Sequence, residues 1–70
     1  MPYKSIRELP ESVRNNLPRH AQEIYQAAYN NAWEEYDHKE ERAHRVAWAA
    51  VKQLYVKDDK TGKWEKKNGG

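Results

Sequence analysis

The sequence lacks cysteine and has no long hydrophobic run, and each absence narrows what the chain can be. Without cysteine it has neither a disulfide framework nor a thiolate zinc site, which suits a reducing compartment. Nowhere do about 18 apolar residues follow one another, and the start, Met1–Ser5, has no apolar signal region. We therefore expect a cytoplasmic protein that does not insert into a membrane.

Phenylalanine is also absent, so every large aromatic side chain carries a polar atom. The three tryptophans and five tyrosines can each bury on the order of 150 to 250 Å². A chain of 70 residues buries only roughly 60% of its unfolded surface, so it has room for one core. We expect a single domain over residues 1–67, monomeric, with residues 68–70 as a disordered tail.

Charge of neither sign dominates, because the formal net charge is only +2, but the distribution is uneven. The middle of the chain is acidic, with Glu23, Glu34, Glu35, Asp37, Glu40 and Glu41. The C-terminal part is basic, with Lys52, Lys57, Lys60, Lys63, Lys66 and Lys67. A net charge this small does not by itself imply a polyanionic partner.

Prolines and apolar periodicity predict three helices, over about 10–16, 18–37 and 40–55. Pro10 and Pro18 suit the first turns of the first two, since their missing N–H groups need no partner there. Apolar residues recur at helical spacing in the two longer helices, and the short connection between them favours antiparallel packing. Gln26 and Asn30 fall on the opposite, polar face. The predicted core comprises Ile24, Tyr25, Ala28, Ala32, Tyr36, Val46, Ala47, Trp48, Ala50, Val51 and Leu54.

After Tyr55 the pattern changes to that of a hairpin, with strands over about 55–58 and 63–66. Gly62 suits the left-handed position of the turn, and the flanking residues alternate as in strands. Two strands alone are marginal in water, so the segment near Tyr3 is a candidate third strand. The predicted fold is therefore α+β and mainly α, with Trp48 on the helix shoulder that meets the hairpin.

Residues that carry chemistry do not assemble into a recognisable catalytic or metal motif. Ser12 and Thr61 are not close to a histidine, and the histidines do not have the spacing of a known metal site. The acidic stretch before Gly62 lacks the further ligands of a calcium loop. We predict no catalytic residue, no metal, no cofactor and no enzymatic activity.

Nucleic-acid binding is the alternative that the basic C-terminal segment raises. Lysines interleaved with an aromatic residue can contact phosphates and stack on bases. The same lysines can instead protect an exposed sheet edge while the aromatic ring packs inward, and interrupting acids favour this interpretation. The residues concerned are Lys57, Lys60, Lys63, Trp64 and Lys66.

Several motifs together resemble the ChaB family over residues 1 to about 67. They are Met1-Pro2-Tyr3, Leu9-Pro10, Leu17-Pro18, His20-Ala21-Gln22 with Ile24-Tyr25, Ala32-Trp33, and Val46-Ala47-Trp48-Ala49-Ala50-Val51-Lys52. The resemblance implies a fold of helices with a small sheet. It also implies a small cytoplasmic, non-enzymatic regulator of cation transport that modulates a ChaA-type cation/proton antiporter through protein contact.

The partner surface that this resemblance suggests is the acidic edge of the two longer helices, together with two ring-bearing residues. Some family members have a longer, charged insert between these helices, whereas residues 37–42 are short here. Some viral ChaB-like proteins resemble DNA-associated factors, so the nucleic-acid alternative stays open. The candidate partner-binding residues are His20, Trp33, Glu34, Glu35, Glu40 and Glu41.

Overall fold

In the computed structural model, residues 3–67 are described and form three α-helices followed by a β-hairpin. A 3-10 turn at Ile6–Glu8 precedes the first helix. The elements are α1 (Glu11–Asn16), α2 (Arg19–Glu35), α3 (Glu40–Leu54), β1 (Tyr55–Lys57) and β2 (Trp64–Lys66). The predicted α+β, mainly helical fold is confirmed, with every boundary within two residues of its expected position. The predicted tail at 68–70 lies outside the described residues.

Pro10 and Pro18 each lie one position before a helix, where the proline carbonyl accepts a hydrogen bond from the first turn. The Pro10 oxygen accepts from the Arg14 N–H at 3.0 Å, and the Pro18 oxygen from the Gln22 N–H at 3.0 Å. The apolar positions at intervals of four around the first helix then turn inward. Leu9, Val13 and Leu17 are all buried.

The core lies between α2 and α3, which pack antiparallel because the connection between them is short. The buried positions of α2 are Ala21, Tyr25, Tyr29 and Ala32. Tyr29, which the predicted core did not include, is therefore central, while Ile24, Ala28 and Tyr36 are half-buried at its sides. The helix face that meets α3 is rotated slightly from the predicted one, because Tyr29 continues the spacing of four from Ala21 and Tyr25.

Helix α3 buries a regular series of positions, and this series shows that Leu54 is wrongly placed in the predicted core. Leu54 is 47% exposed. The buried positions are four apart, so the position that continues the series is Tyr55, which is 5% exposed. Val46, Trp48 and Ala50 are half-buried, and the buried series is Ala43, Ala47, Val51 and Tyr55.

The predicted third strand near Tyr3 is not found, because this segment binds α2 instead. The Tyr3 N–H donates to Oδ1 of Asn30 at 2.8 Å, and Nδ2 of Asn30 donates back to the Tyr3 oxygen at 2.8 Å. Nε2 of Gln26 donates to the same oxygen at 3.0 Å. The carboxamide of Asn30 thus accepts one hydrogen bond from Tyr3 and donates one to it, as a peptide group in a neighbouring strand would. Within residues 3–67 the sheet contains β1 and β2 alone.

The hairpin is antiparallel, with Lys57 opposite Trp64. Gly62 has a φ of 77°, the left-handed conformation that the sequence predicted there, and its N–H donates to the Asp58 oxygen at 2.7 Å. Trp64 lies against Trp48 with 5.3 Å between ring centroids. This contact confirms Trp48 as the joint between helices and hairpin.

Candidate functional site

The turn between α2 and α3 gathers four of the six predicted partner-binding residues at one end of the molecule. Glu34 and Glu35 end α2, while Glu40 and Glu41 begin α3. We call these four residues the acidic turn. The connection is tight: the two successive residues Asp37 and His38 have φ values of 59° and 62°. Such left-handed values are uncommon outside glycine, although Asp and His adopt them more readily than most residues.

The helix dipoles favour two of the four carboxylates in the acidic turn and disfavour the other two. Glu40 and Glu41 lie at a helix N-terminus, where the helix dipole favours negative charge, but Glu34 and Glu35 lie at a C-terminus, where it does not. Glu34 contacts Nε2 of His38 at 3.8 Å, and Glu41 contacts Arg45 at 3.5 Å. Within residues 3–67, the Glu40 carboxylate has no ion-pair partner within 4.0 Å.

Aromatic rings lie behind the acidic turn. Trp33 is half-buried and stacks on His38 with 5.2 Å between centroids and 12° between planes. Arg42 lies 5.0 Å from the centroid of the Tyr36 ring, a cation–π contact. Trp33 is thus partly covered by His38 and offers only part of its surface to a partner.

His20, the remaining predicted partner-binding residue, lies far from this turn. It is in the first turn of α2, 13 residues before Trp33, which at 1.5 Å per residue is about 20 Å along the helix. Its Nδ1 lies 3.4 Å from Oε1 of Glu23, and its ring faces Tyr55 at 6.4 Å. The fold therefore does not bring His20 into one site with the acidic turn.

The basic hairpin lies at the other end of α3. Lys57, Lys60, Lys63 and Lys66 are exposed, whereas Trp64 is half-buried against Trp48. A groove of about 320 Å³ beside this tryptophan pair is lined by Ser12, Asn16, Trp48, Lys52, Lys57 and Trp64. Trp64 therefore packs against Trp48 and also exposes part of its ring to a groove lined by lysine side chains.

A second groove, which the sequence did not lead us to expect, lies between the N-terminal segment and the helix pair. We call it the tyrosine groove. Its volume is about 390 Å³, and it is lined by Tyr3, Pro10, Tyr25, Tyr29, Glu40, Glu41 and His44. The spacing of four between Tyr25 and Tyr29 signals that they share a helix face. Their meeting with Tyr3 depends on the contacts of the N-terminal segment with α2, which no sequence pattern indicated.

The three phenols of the tyrosine groove differ in the hydrogen bonding of their hydroxyl groups. The Tyr25 hydroxyl is hydrogen-bonded to Nδ1 of His44 at 2.6 Å. The Tyr29 hydroxyl is buried and has no hydrogen-bond partner in the described part of the chain. The Tyr3 phenol lies beside it, with its ring centroid 4.8 Å from that of Tyr29.

Burial and nearby negative charge keep these phenols neutral. Burial raises the pKa of Tyr29 to about 12, with contributions from the neighbouring Tyr3 and from the Glu40 carboxylate. Burial likewise raises the pKa of Tyr25, and Glu40 adds to that rise. Glu40 itself is exposed and lines the same groove.

Two further observations describe the chain between Tyr3 and Lys67. Its His, Asp and Glu side chains do not form any group of three that could hold a metal ion. None of its helices combines the length and apolar character needed to cross a membrane.

The fold and these surfaces define a small α+β domain of packed helices and a C-terminal hairpin, with an acidic turn at one end of α3 and a basic hairpin at the other. The chain belongs to the ChaB family, whose family model matches residues 9–67. The family that the sequence motifs suggested is thus confirmed.

Relatives and a solved structure support the same assignment. The chain is 52% identical to the "Putative cation transport regulator ChaB" of Escherichia coli (strain K12), over 97% of this chain and 100% of the relative. The protein of the same name from Shigella flexneri matches to the same extent. A chain described as "NMR solution structure of the putative cation transport regulator ChaB" superposes with a TM-score of 0.85 at 51% identity, covering 96% of this chain and 100% of that one.

The relatives also contain positions that this chain lacks, because the alignments extend over 77 positions and the chain has 70 residues. We expect this difference at the short connection, residues 37–42, between α2 and α3. The backbone of this connection is left-handed at Asp37 and His38.

Proposed function

We propose that this protein regulates cation transport by binding a ChaA-type cation/proton antiporter, and that it does so without catalytic activity of its own. The names of its relatives support the general role. The acidic turn is the surface that we assign to the contact with the antiporter.

The observation that carries this proposal is the placement of Glu34 and Glu35 in the last turn of α2. Each negative charge at a helix C-terminus opposes the helix dipole, at a cost of about 0.3–1 kcal/mol. The helix dipole therefore does not favour these two carboxylates, and a role in binding accounts for their placement.

The partner's chemistry fits the charge of this surface. Cytoplasmic loops of membrane proteins carry an excess of lysine and arginine close to the ends of their membrane spans. An acidic turn complements such loops, and complementary charge accelerates association and selects the correct partner. The half-buried Trp33, directly behind Glu34, supplies an apolar anchor. A partner that also contacted His20 would have to extend about 20 Å along α2.

The test is a binding experiment with the cytoplasmic portions of the antiporter and immobilised protein. Reversing the charge of the turn in a Glu34→Lys/Glu35→Lys variant should weaken binding by about tenfold or more, and added salt should weaken the unmodified pair. Glu11→Lys, which reverses an exposed charge on α1, is the matched control and should bind normally. Failure to retain the antiporter, together with unchanged cation tolerance when the gene is deleted, would refute the proposal.

Nucleic-acid binding by the hairpin is the second candidate, and the groove beside Trp48 and Trp64 is the observation that favours it. Lys52 and Lys57 line that groove and could contact phosphates, but the Trp64 ring is partly occupied by its contact with Trp48. Short single- and double-stranded oligonucleotides should then perturb the hairpin amides, with an effect that falls steeply as salt rises. Unperturbed amides at low salt would eliminate this candidate.

A further inference from the structure

The groove beside the two packed tryptophans is formed by three separate elements, each of which contributes two side chains. Positions four apart on a helix share a face, and residues directly opposite each other in a hairpin share a face of the sheet. The pairs from α1 and α3 are four apart, and the hairpin pair is directly opposite in register. We call this space the tryptophan groove. Its volume is about 320 Å³, and it is lined by Ser12 and Asn16 of α1, Trp48 and Lys52 of α3, and Lys57 and Trp64 of the hairpin.

The tryptophan groove combines positive charge with aromatic surface. Lys52 and Lys57 are exposed, and neither has an ion pair within 4.0 Å among residues 3–67. Trp48 and Trp64 are both half-buried, with 5.3 Å between ring centroids and 36° between planes. Each ring therefore keeps part of its surface for a further contact, next to an ammonium group that has no counter-charge.

The acids of the hairpin do not line this groove, although they interrupt the lysines in the sequence. Glu65 follows Trp64 in β2, and successive side chains of a strand point to opposite faces. The Asp58 carboxylate accepts a hydrogen bond from the Lys60 N–H at 2.8 Å within the turn. No aspartate or glutamate is among the described residues that line the tryptophan groove, whereas two glutamates line the tyrosine groove. The groove is thus more positive than the composition of the hairpin suggests.

We propose that the tryptophan groove binds a small anion that carries one aromatic ring. Its anionic group, a carboxylate or a phosphate, accepts hydrogen bonds from the ammonium groups of Lys52 and Lys57, which have donors and no acceptor. Its ring packs against the open parts of the two indole rings. The Ser12 hydroxyl, at the side of the groove, can bond to a polar substituent of the ligand.

Other ligand classes fit this groove less well. A cation would be repelled by Lys52 and Lys57, and a small anion without a ring would leave the tryptophan surface uncovered. The volume of about 320 Å³ lies at the lower end of the range for small-molecule pockets, roughly 300–1,000 Å³, which suits one ring and one charged group. A strand of nucleic acid carries the same two groups, so a short oligonucleotide belongs in the test.

The site is independent of the proposed antiporter contact, because the acidic turn does not contribute to it and its test contains no transporter. Two probes represent the two anionic groups: indole-3-acetate has a carboxylate, and adenosine 5′-monophosphate has a phosphate. Each is titrated into ¹⁵N-labelled protein at constant ionic strength, while amide and indole N–H signals are followed by NMR. At least one probe should cause saturable shifts at Trp48 and Trp64, with a dissociation constant below about 1 mM, and the tighter probe identifies the anionic group. The indole signal of Trp33, beside the acidic turn, should not move.

Analogues and variants separate the site from general attraction of an anion. Indole-3-acetamide and adenosine keep the ring without the charge, whereas acetate and inorganic phosphate keep the charge without the ring, and all four should bind at least about tenfold more weakly. Lys52→Gln and Lys57→Gln should each weaken binding by about threefold, because each removes one exposed charge next to the ligand. Lys60→Gln makes the same change in the hairpin turn, outside the groove, and should bind the probes normally. Circular dichroism confirms that each variant is folded.

Any of four results would overturn the proposal: shifts that do not saturate with either probe, equal shifts with the neutral or the ring-free analogues, equal weakening by Lys60→Gln and Lys57→Gln, or shifts with a short oligonucleotide while neither probe binds. The first two would leave the groove without a site for an aromatic anion. The third would reduce the effect to the overall charge of the hairpin, and the fourth would assign the groove to nucleic acid instead. None of them bears on the antiporter contact, which is tested with a different ligand.

Discussion

Replacing Tyr29 by phenylalanine should make the protein more stable, although this residue is at the centre of the core. The substitution removes a buried hydroxyl that has no partner within residues 3–67, and with it a desolvation cost of about 1–3 kcal/mol. The void left by one oxygen atom, on the order of 10 Å³, costs about 0.2–0.3 kcal/mol at roughly 24 cal/mol per Å³. The ring and its contacts are kept. The net expectation is a gain of about 1 kcal/mol or more in the free energy of unfolding.

The measurement is urea unfolding followed by tryptophan fluorescence, with the midpoint and slope fitted separately. In a thermal scan, a gain of 1 kcal/mol corresponds to a rise of about 4–8 °C in Tm for a domain of this size. Tyr25→Phe is the matched control, since it makes the same chemical change at a hydroxyl that is bonded to His44 at 2.6 Å. That variant should lose about 1 kcal/mol.

The comparison between the two tyrosine variants tests whether the Tyr29 hydroxyl lacks a hydrogen-bond partner. If Tyr29→Phe is destabilised as much as Tyr25→Phe, the Tyr29 hydroxyl has a partner in solution, and the reasoning about an unpaired group is refuted.

Three further predictions concern the same fold. Asn30→Ala should release the Tyr3 segment and cost about 1–2 kcal/mol, with faster hydrogen exchange at the Tyr3 amide; unchanged exchange would contradict the role of Asn30. Trp48→Ala should cost about 2–3 kcal/mol in urea unfolding, less than a fully buried tryptophan because the ring is half-exposed, and a loss below about 0.5 kcal/mol would show that it does not join helices and hairpin. As the pH rises, the free energy of unfolding should stay constant up to about 10 and then fall. A phenol whose folded pKa exceeds its unfolded value ionises first in the unfolded state, and this ionisation stabilises the unfolded state. For Tyr29, a rise from 10.0 to about 12 corresponds to a loss of about 2 kcal/mol by pH 12, and a flat profile over this range, with tyrosinate absorbance still rising, would contradict the burial of its hydroxyl.

The helices and the hairpin could be predicted because local signals agree with the packing. Pro10 and Pro18 mark helix starts, and Gly62 adopts the left-handed conformation that its turn requires. Leu54 was predicted wrongly because apolar character alone does not show which side of the last helical turn faces the core. Tyr55, next in the sequence, continues the buried spacing of four and occupies that position.

The candidate site was less predictable, because it depends on contacts between distant parts of the chain. The acids of the acidic turn could be grouped from the sequence, since they flank one short connection. The tyrosine groove could not, because it exists only where Tyr3 lies across α2. Gln26 and Asn30, which hold Tyr3 there, resemble ordinary solvent-facing residues of an amphipathic helix. Polar residues that bind backbone groups have the same sequence pattern as polar residues that face water.

The attachment of the N-terminal segment has a consequence for how the chain can vary in length. A strand paired in a sheet must keep its register, since a shift of one residue moves every side chain to the other face. Here the segment is held at one backbone position, Tyr3, by the side chains of Asn30 and Gln26. We therefore expect that extensions before Tyr3 leave the helix pair and the hairpin undisturbed. An insertion between Tyr3 and Ile6, in contrast, would change which residue forms the wall of the tyrosine groove.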